Sequence, residues 1–330
     1  MCTALTYKTK DFYFGRTLDY EHSFAEKIVI TPRNFALPFR TMGTKNTHYA
    51  IIGMACVASG FPLYFDAVNE TGLAMAGLNF SGYADYKAYL SEKDNVASFE
   101  FIPWILCQCG SVRQARALLE RINITAESFS QQIPPSPLHW LLADREEAIT
   151  IEAVQEGIRV YPNPAGVLTN NPPFDTQMCQ LNNYMHLSPE PPENRFSKTL
   201  PLQPYSRGMG ALGLPGDLSS QSRFVRAVFV KLNSLSGTSE RESVSQFFHI
   251  LGAVDQPRGC CDLGDGQYET TIYTSCCNVS CGIYYYTTYD NRQISAVDLH
   301  GENLDGSDLI SFPLRREGDI FWHNRRPGAF

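Results

Sequence analysis

The order of strand-like and helix-like segments is the feature of this chain that most restricts its fold. Short runs with β-strand composition come first, helical periodicity follows, and both kinds of segment recur before the chain closes in strands. Blocks in this order fit stacked sheets sandwiched by helices better than a regular alternation of one strand with one helix. The predicted strands span residues 2–7, 12–16, 27–31, 49–58, 65–68, 73–79, 139–144, 149–154, 158–161, 167–170, 270–276, 283–289 and 294–298.

Helical periodicity marks four other segments, which span residues 98–110, 111–121, 222–233 and 243–253. Gly110 suits the end of the first helix, and Ser111 with Gln114 predicts a capping box at the start of the second. Ser222 is predicted to cap the third helix, which would place Arg223 in the first turn. A cation there opposes the helix dipole, and local rules tend to be broken where function requires it. Chance placement of a surface arginine explains Arg223 equally well.

A polar, proline-rich stretch at residues 188–204 resembles an interdomain linker. The sequence on its two sides does not differ in composition, so we interpret it as an excursion from one domain. We therefore expect residues 1–330 to form a single domain.

Composition and charge limit the partners of the chain. Its 330 residues are 43% hydrophobic, which is typical of a folded globular protein and not of a disordered one. The 27 Lys and Arg against 34 Asp and Glu give a net charge of −7. That charge argues against nucleic acid as the main partner and supplies no polybasic anchor for a membrane. We expect a small-molecule substrate, with no nucleic-acid and no membrane partner.

The first residues do not have the layout of a secretory signal. Lys8, Lys10 and Asp11 interrupt any apolar core near the start. We therefore predict a cytoplasmic protein, in which the ten cysteines stay reduced.

Cys2 carries the most informative chemistry. Removal of Met1, which the small second side chain permits, would place a thiol and a free α-amine on one residue. Such an amine titrates at about 7.7–8.0 and a free thiol at about 8.5, so the amine can take the thiol proton without a histidine. The thiolate can then attack an amide carbonyl, and the ammonium can protonate the leaving nitrogen. Taken alone, Cys2 fits equally a small apolar residue at the start of a chain.

The segment FGRTLDY supports the catalytic interpretation. Arg16 shares a strand face with Phe14, and Asp19 is expected just beyond the end of that strand. Beside Cys2, Arg16 would stabilise a thiolate, and Asp19 would hold and orient the α-ammonium. The alternative is an ordinary surface ion pair, which contributes little to stability.

Two asparagines stand at predicted strand ends. Asn79 lies near the end of GLAMAGLNF, and Asn170 ends GVLTN, just before the pair Pro172-Pro173. Each can present an amide N–H to a developing oxyanion, although asparagine at a strand end is usually a turn residue.

Six segments, taken in order, resemble the choloylglycine hydrolase family and within it most of all the bile salt hydrolases of gut bacteria. They are MCTALTY, FGRTLDY, AGLNF, GVLTNNPPFD, GLPGDLSSQSRFVRA and YTSCCNVSCGIYYYTTYDN, and the similarity runs from Cys2 to about Gly306. The resemblance implies an N-terminal-nucleophile hydrolase with an αββα four-layer sandwich of two antiparallel sheets flanked by helices. It also implies cleavage of the amide between a bile acid and glycine or taurine, through a thioester on Cys2 and without a cofactor or metal.

The same resemblance implies the site residues. The nucleophile of the family corresponds to Cys2, freed by loss of Met1, and its neighbouring arginine and aspartate correspond to Arg16 and Asp19. The two active-site asparagines correspond to Asn79 and Asn170, and the distal arginine to Arg223. The steroid pocket is expected to use six apolar residues: Leu18, Phe24, Phe65, Phe129, Ile133 and Leu138.

Three other functions stay open at this point. Penicillin V acylases, the nearest relatives within the family, often carry tyrosine where this chain has Asn79, which favours bile salts without excluding an acylase. A non-catalytic steroid-binding protein would not need the six catalytic candidates. A metal or redox protein would use the cysteines, but adjacent Cys260-Cys261 and Cys276-Cys277 point to opposite strand faces and cannot chelate one ion well.

The resemblance also bears on assembly and on histidines. Residues 182–217 are similar to the insertion that the family uses for assembly, so we expect a homotetramer. His139 and His249 lie in apolar segments, and we interpret both as structural because the N-terminal amine already supplies a base.

Overall fold

Two large antiparallel sheets lie face to face in the computed structural model, which describes residues 1–318 and 320–324. Residues 319 and 325–330 of the predicted domain lie outside the described part. Strands are numbered in chain order as β1 (Cys2–Lys8), β2 (Phe12–Tyr20), β3 (Lys27–Thr31), β4 (Leu37–Phe39), β5 (Gly43–Lys45), β6 (Ile51–Ala58), β7 (Phe61–Asn69), β8 (Ala74–Asn79), β9 (Asp94–Ala97), β10 (Ile122–Thr125), β11 (Leu138–Ala143), β12 (Ala148–Val154), β13 (Gly157–Pro162), β14 (Val167–Leu168), β15 (Asp262–Gly264), β16 (Gln267–Tyr268), β17 (Thr270–Asn278), β18 (Ile283–Thr288), β19 (Ser295–Asp298) and β20 (Ile310–Pro313).

Helices cover the outer face of each sheet. They are α1 (Phe101–Leu106), α2 (Val112–Leu119), α3 (Phe174–Gln180), α4 (Ser220–Asn233) and α5 (Glu240–Gly252), with 3-10 turns at Ser98–Glu100, Leu181–Tyr184, Met209–Ala211 and Leu299–Gly301. The six-stranded sheet has the order β14-β1-β2-β17-β18-β19 and packs against α4 and α5. The eight-stranded sheet has the order β13-β12-β11-β8-β7-β6-β3-β20, and α1 packs against it. The chain therefore has the predicted αββα sandwich.

Alternation of side chains explains why a central strand such as β6 carries apolar residues at successive positions. On β6, Ile52 and Met54 face the core between the sheets, whereas Ile51 and Ala55 face the core under α1 and α2. Because successive side chains of a strand point to opposite faces, a strand buried on both faces has no polar positions to alternate with.

Several element ends differ from the sequence-based predictions, and three of the differences concern helix caps or a candidate site residue. Asp19 was predicted just beyond its strand but lies inside β2, which runs on to Tyr20. Ser222 was predicted to cap α4, but Ser219 is the N-cap, and Ser222 donates its N–H to the Ser219 hydroxyl. The side chain of Ser111 does cap α2, but Gln114 accepts from the Gly110 N–H, so the capping box is incomplete.

Helix α3 was not predicted from the sequence. It begins directly after Pro173, which occupies the N-cap. Proline fits the start of a helix because the first N–H groups need no partner inside the helix. The excursion predicted at residues 188–204 has no helix or strand.

Candidate active site

Strand pairing fixes the position of Cys2. In the ladder between β1 and β2, Cys2 lies opposite Leu18, and Ala4 lies opposite Arg16. Side chains directly opposite one another point to the same face, so Cys2, Leu18 and Arg16 all face the eight-stranded sheet. The thiol is buried, with Cys2 only 4% exposed.

Met1 is tied down next to Cys2. Its ammonium donates to the Asp19 carbonyl at 2.8 Å and forms an ion pair with the Glu269 carboxylate. Burial lowers the pKa of this ammonium, and the nearby Cys2 and Asp19 act in the opposite direction. With Met1 in place, the Cys2 nitrogen is an amide whose N–H donates to Asn170 Oδ1 at 2.8 Å.

Arg16 crosses from β2 to the opposite sheet. Its Nη1 donates to the carbonyls of Phe65 (3.0 Å) and Gly77 (2.5 Å), and its Nε donates to the Thr17 carbonyl (3.1 Å). Burial lowers the pKa of the guanidinium, but nearby negative groups, Cys2 foremost, more than offset this and raise it overall. Nη2 is buried without a hydrogen-bond partner among the described residues. This nitrogen is available to a thiolate or an oxyanion near Cys2.

Asp19 lies on the other face of β2. Its carboxylate accepts from Thr271 Oγ1 (2.6 Å) and Thr17 Oγ1 (3.1 Å), and the residue is fully buried. The register between β2 and β17 shifts between Thr271 and Tyr273, at the point where Asp19 stands. Such irregularities often re-aim side chains next to active sites.

Arg223 and Asn170 hold Cys2 from the side of α4. Arg223 Nη1 donates to the Cys2 carbonyl (2.6 Å) and to Thr3 Oγ1 (2.7 Å), and its Nη2 donates to Asn170 Oδ1 (2.7 Å). Asn170 Oδ1 therefore accepts from both Arg223 and the Cys2 nitrogen. The amide oxygen thus holds the Cys2 nitrogen, and Asn170 Nδ2 donates to the Asn79 carbonyl at 2.8 Å.

Asn79 ends β8 with an exposed side chain. Its backbone is connected to Cys2 through the Asn170 amide. The structure thus places all six predicted catalytic residues around the end of β1, where the two sheets and α4 meet.

The predicted pocket residues separate into two groups. Leu18, Phe24 and Phe65 pack on the core between the sheets, and the rings of Phe24 and Phe65 are 5.4 Å apart. Phe129 and Leu138 pack on the other core, under α1 and α2. Ile133 is half-buried in the loop before β11, where its carbonyl accepts from the Phe129 N–H. The six side chains do not form one contact cluster.

A buried acid behind Arg16 was missed. Asp66, on β7, accepts from the hydroxyls of Tyr273 (2.6 Å), Tyr284 (2.6 Å) and Ser275 (3.0 Å), which all belong to the opposite sheet. Burial raises the pKa of Asp66, and Arg16 with the three hydroxyl donors acts against that rise. One signal was visible in the sequence: a lone aspartate inside the apolar run FPLYFDAVN, since an unpaired acid is almost never fully buried.

Glu269 was also missed. It is 6% exposed, pairs with the Met1 ammonium, and accepts from Cys261 Sγ at 3.6 Å. No sequence motif pointed to it, because its role depends on strand β17 lying beside β2.

The described residues contain no group of three or more His, Cys, Asp or Glu side chains placed to hold a metal ion. All ten cysteines are free thiols. Among the helices of the described part of the chain, none has the length and apolar character needed to cross a membrane.

Comparison with known proteins gives consistent results. The sequence model of the linear amide C–N hydrolases, choloylglycine hydrolase family, matches residues 2–312. The chain is 56% identical to the bile salt hydrolase/transferase of Lactiplantibacillus plantarum, over 97% of this chain and 99% of that protein. It is 37% identical to the bile salt hydrolase/transferase of Clostridium perfringens, over 96% of this chain and 98% of the other.

Solved structures agree with the fold. A cysteine-to-alanine mutant of the conjugated bile acid hydrolase from Clostridium perfringens superposes with a TM-score of 0.90 at 35% identity, covering 98% of this chain and 100% of that one. Penicillin V acylase from Agrobacterium tumefaciens superposes with a TM-score of 0.74 at 18% identity, covering 96% and 94%, and shows a shared fold.

Proposed function

Because this chain belongs to the choloylglycine hydrolase family, and so is an amidohydrolase acting on linear amides, we propose that it cleaves bile salts conjugated to glycine or taurine. The products would be the free bile acid and the amino acid. The supporting relatives are named for bile salts or conjugated bile acids and match over nearly the whole chain.

The proposed mechanism begins with loss of Met1. The Cys2 amide nitrogen, now 2.8 Å from Asn170 Oδ1, would become an α-amine held by the same acceptor. This amine takes the thiol proton, and the sulfur attacks the carbonyl carbon of the substrate amide. Arg16 Nη2 is the donor available to the developing negative charge, since the other two guanidinium nitrogens already donate to carbonyls.

The second half of the reaction returns the proton. The Cys2 ammonium protonates the leaving nitrogen, so glycine or taurine departs and a thioester remains on the sulfur. The free amine then takes a proton from water, whose oxygen attacks the thioester carbon and releases the bile acid. The thiol leaves with that proton, which restores the starting state.

One arrangement carries this proposal: the backbone of Cys2 is clamped on both sides of its α-carbon. Asn170 Oδ1 accepts from the nitrogen, and Arg223 Nη1 donates to the carbonyl oxygen at 2.6 Å. A nucleophile whose base is its own amine needs this fixed backbone, because amine and sulfur belong to one residue.

The function and its specificity are tested by measuring amino-acid release with ninhydrin. Leu18, Phe24 and Phe65 are apolar, so a steroid held mainly by them would leave the head group a minor determinant. We expect kcat/KM for glycine and taurine conjugates of one steroid to agree within about threefold, under ~1 kcal/mol, and to vary more between steroids. A dominant head group would reject this specificity, and faster cleavage of penicillin V than of any bile salt would identify an acylase instead.

Arg16→Lys should lower kcat/KM by about 10- to 100-fold, the kinetic equivalent of losing one charge-assisted hydrogen bond. Lysine keeps the charge, but its three N–H groups lie on one nitrogen, so it cannot bond Phe65 and Gly77 from the Nη1 position and also place a donor at the separate Nη2 position. Steady-state kinetics with glycocholate measure the effect. Near-normal activity would show that only the charge at this position matters.

We further propose that the enzyme is a cytoplasmic homotetramer of single-domain chains. Large apolar side chains are exposed along the predicted assembly segment, residues 182–217; they are Met185, Phe196, Leu200, Leu202, Tyr205 and Leu212. Several large exposed apolar side chains in one segment are a feature of interfaces. Sedimentation velocity should give about four times the 37.0 kDa chain mass, and Phe196→Glu with Tyr205→Glu should dissociate the assembly. A monomeric wild-type enzyme would contradict this proposal.

A further inference from the structure

A histidine and a glutamate form a buried pair beside the catalytic residues. His139 on β11 and Glu152 on β12 are direct cross-strand partners, and both side chains are 0% exposed. His139 Nδ1 lies 3.2 Å from Glu152 Oε1, and its ring stacks on Phe80 with centroids 4.3 Å apart. The sequence analysis interpreted His139 as structural, and the proposed mechanism uses neither residue.

The two side chains form hydrogen bonds with both ends of one short segment outside their own sheet. His139 Nε2 bonds the Thr169 carbonyl at 2.8 Å, and Glu152 Oε1 accepts from the Phe174 N–H at 2.9 Å. A carbonyl oxygen cannot donate, so Nε2 must carry a hydrogen. A single proton then lies between His139 Nδ1 and Glu152 Oε1, and either atom can be its donor. His139 cannot act as a general base on substrate, because both ring nitrogens are engaged and enclosed.

The segment that His139 and Glu152 bond, residues 169–174, contains Asn170. The side-chain oxygen of Asn170 is the atom that accepts from the Cys2 nitrogen. The segment starts directly after β14, which pairs with β1, and ends where α3 begins. Besides the bonds to His139 and Glu152, the segment contacts the eight-stranded sheet through the Asn170 Nδ2 bond to the Asn79 carbonyl and through the Phe174 ring, 6.0 Å from that of Tyr161. On the helical side, Ser220 Oγ accepts from the Asn170 N–H and Gln177 Nε2 donates to the Asn170 carbonyl.

We propose that His139 and Glu152 are positioning residues for Asn170, and through Asn170 for the α-amine of Cys2. This rests on the proposed function, in which that amine is the base. A backbone shift at Thr169 moves Asn170 Oδ1 away from the nitrogen it must hold, and misplacement by about 1 Å can cost about 100-fold in rate. The groups that contact substrate stay in place, so we expect kcat to fall while KM stays near the wild-type value.

Three variants separate positioning from plain stability. His139→Phe keeps a ring to stack on Phe80 but removes the donor to Thr169. His139→Gln offers an amide N–H near the former Nε2 and gives up the bond to Glu152. His48→Phe is the matched control, because His48 is 8% exposed and also bonds two carbonyls, those of Tyr49 and Phe35, away from the site.

The readouts are melting temperature, kcat and KM for glycocholate, and the rate at which iodoacetamide alkylates Cys2. We expect His139→Phe to lower kcat and the alkylation rate by about 10- to 100-fold, with KM within about twofold of wild type. His139→Gln should recover part of both rates without recovering melting temperature. His48→Phe should lose melting temperature with little change in either rate.

Two results would overturn the proposal: His139→Phe matching His48→Phe in kcat and alkylation, or His139→Gln no more active than His139→Phe. Should His139→Phe fail to fold, the comparison of His139→Gln with wild type decides by the same two rates, and unchanged rates reject positioning. A wild-type enzyme that does not cleave glycocholate would refute the proposed function instead, and alkylation of Cys2 would still report on positioning.

Discussion

Cys2→Ala is expected to abolish hydrolysis of conjugated bile salts while leaving the fold and bile-salt binding intact. The sulfur is the only protein atom that bonds the substrate carbon in the proposed mechanism, and no neighbouring group can replace it. The substitution removes one atom at the end of β1 and leaves the backbone bonds to Asn170 and Arg223 in place. Turnover should fall below detection, with glycocholate binding by calorimetry near the wild-type value.

Two further variants make this result specific. Cys2→Ser should be severely impaired but folded, because a hydroxyl is a far weaker nucleophile than a thiolate at neutral pH. Cys107→Ala removes an equally buried thiol, 2% exposed, from the C-cap of α1 in the other core, and should keep full activity. Hydrolysis retained by Cys2→Ala would exclude the thioester mechanism.

A chain in which any residue precedes Cys2 should be inactive, although it carries every catalytic side chain. With Met1 present the Cys2 nitrogen is an amide that donates to Asn170 Oδ1, and an amide has no basic lone pair to accept the thiol proton. Met1 also occupies the space beside the nucleophile, bound to Asp19 and Glu269. Loss of the general base alone costs about 10²- to 10⁴-fold.

A removable N-terminal tag tests this on one polypeptide. A protease site cut directly before Cys2 should convert an inactive tagged chain to an active one, with mass spectrometry confirming the new N-terminus. The matched control is a tag whose cleavage leaves one glycine before Cys2, and it should stay inactive after cutting. Full turnover by the intact tagged chain would rule out the α-amine as base.

Local rules accounted for much of the fold. Short apolar runs located every strand of the six-stranded sheet and seven strands of the eight-stranded sheet, and the four predicted helices are present with shifted ends. Strand β20 and the short strands β4, β5, β9, β10, β15 and β16 were not predicted. The shifted ends share one cause. Where a helix or strand ends depends on hydrogen bonds to groups whose positions cannot be predicted from the local sequence. Ser219 caps α4 in place of Ser222, and Asp19 belongs to β2 because β17 pairs with it there.

The chemistry of the six catalytic candidates could be proposed from their residue types, but their partners could not. Asp66 reaches Tyr273, Ser275 and Tyr284, which follow it by more than 200 residues. His139 acquires a possible role only because Glu152 stands opposite it and Thr169 comes within 2.8 Å. No local pattern encodes such contacts.

The sequence by itself determined the family, through its ordered motifs, and the layered architecture, through the order of strand-like and helix-like segments. Both can be recognised from residues that lie close together in the chain. Only the tertiary structure decided which polar groups meet. It joined Cys2 to Asn170 and Arg223, left Arg16 Nη2 without a hydrogen-bond partner among the described residues, and placed five of the predicted pocket residues in two different cores. These outcomes depend on how the two sheets and α4 pack together, because each of these hydrogen bonds joins residues that are far apart in the sequence.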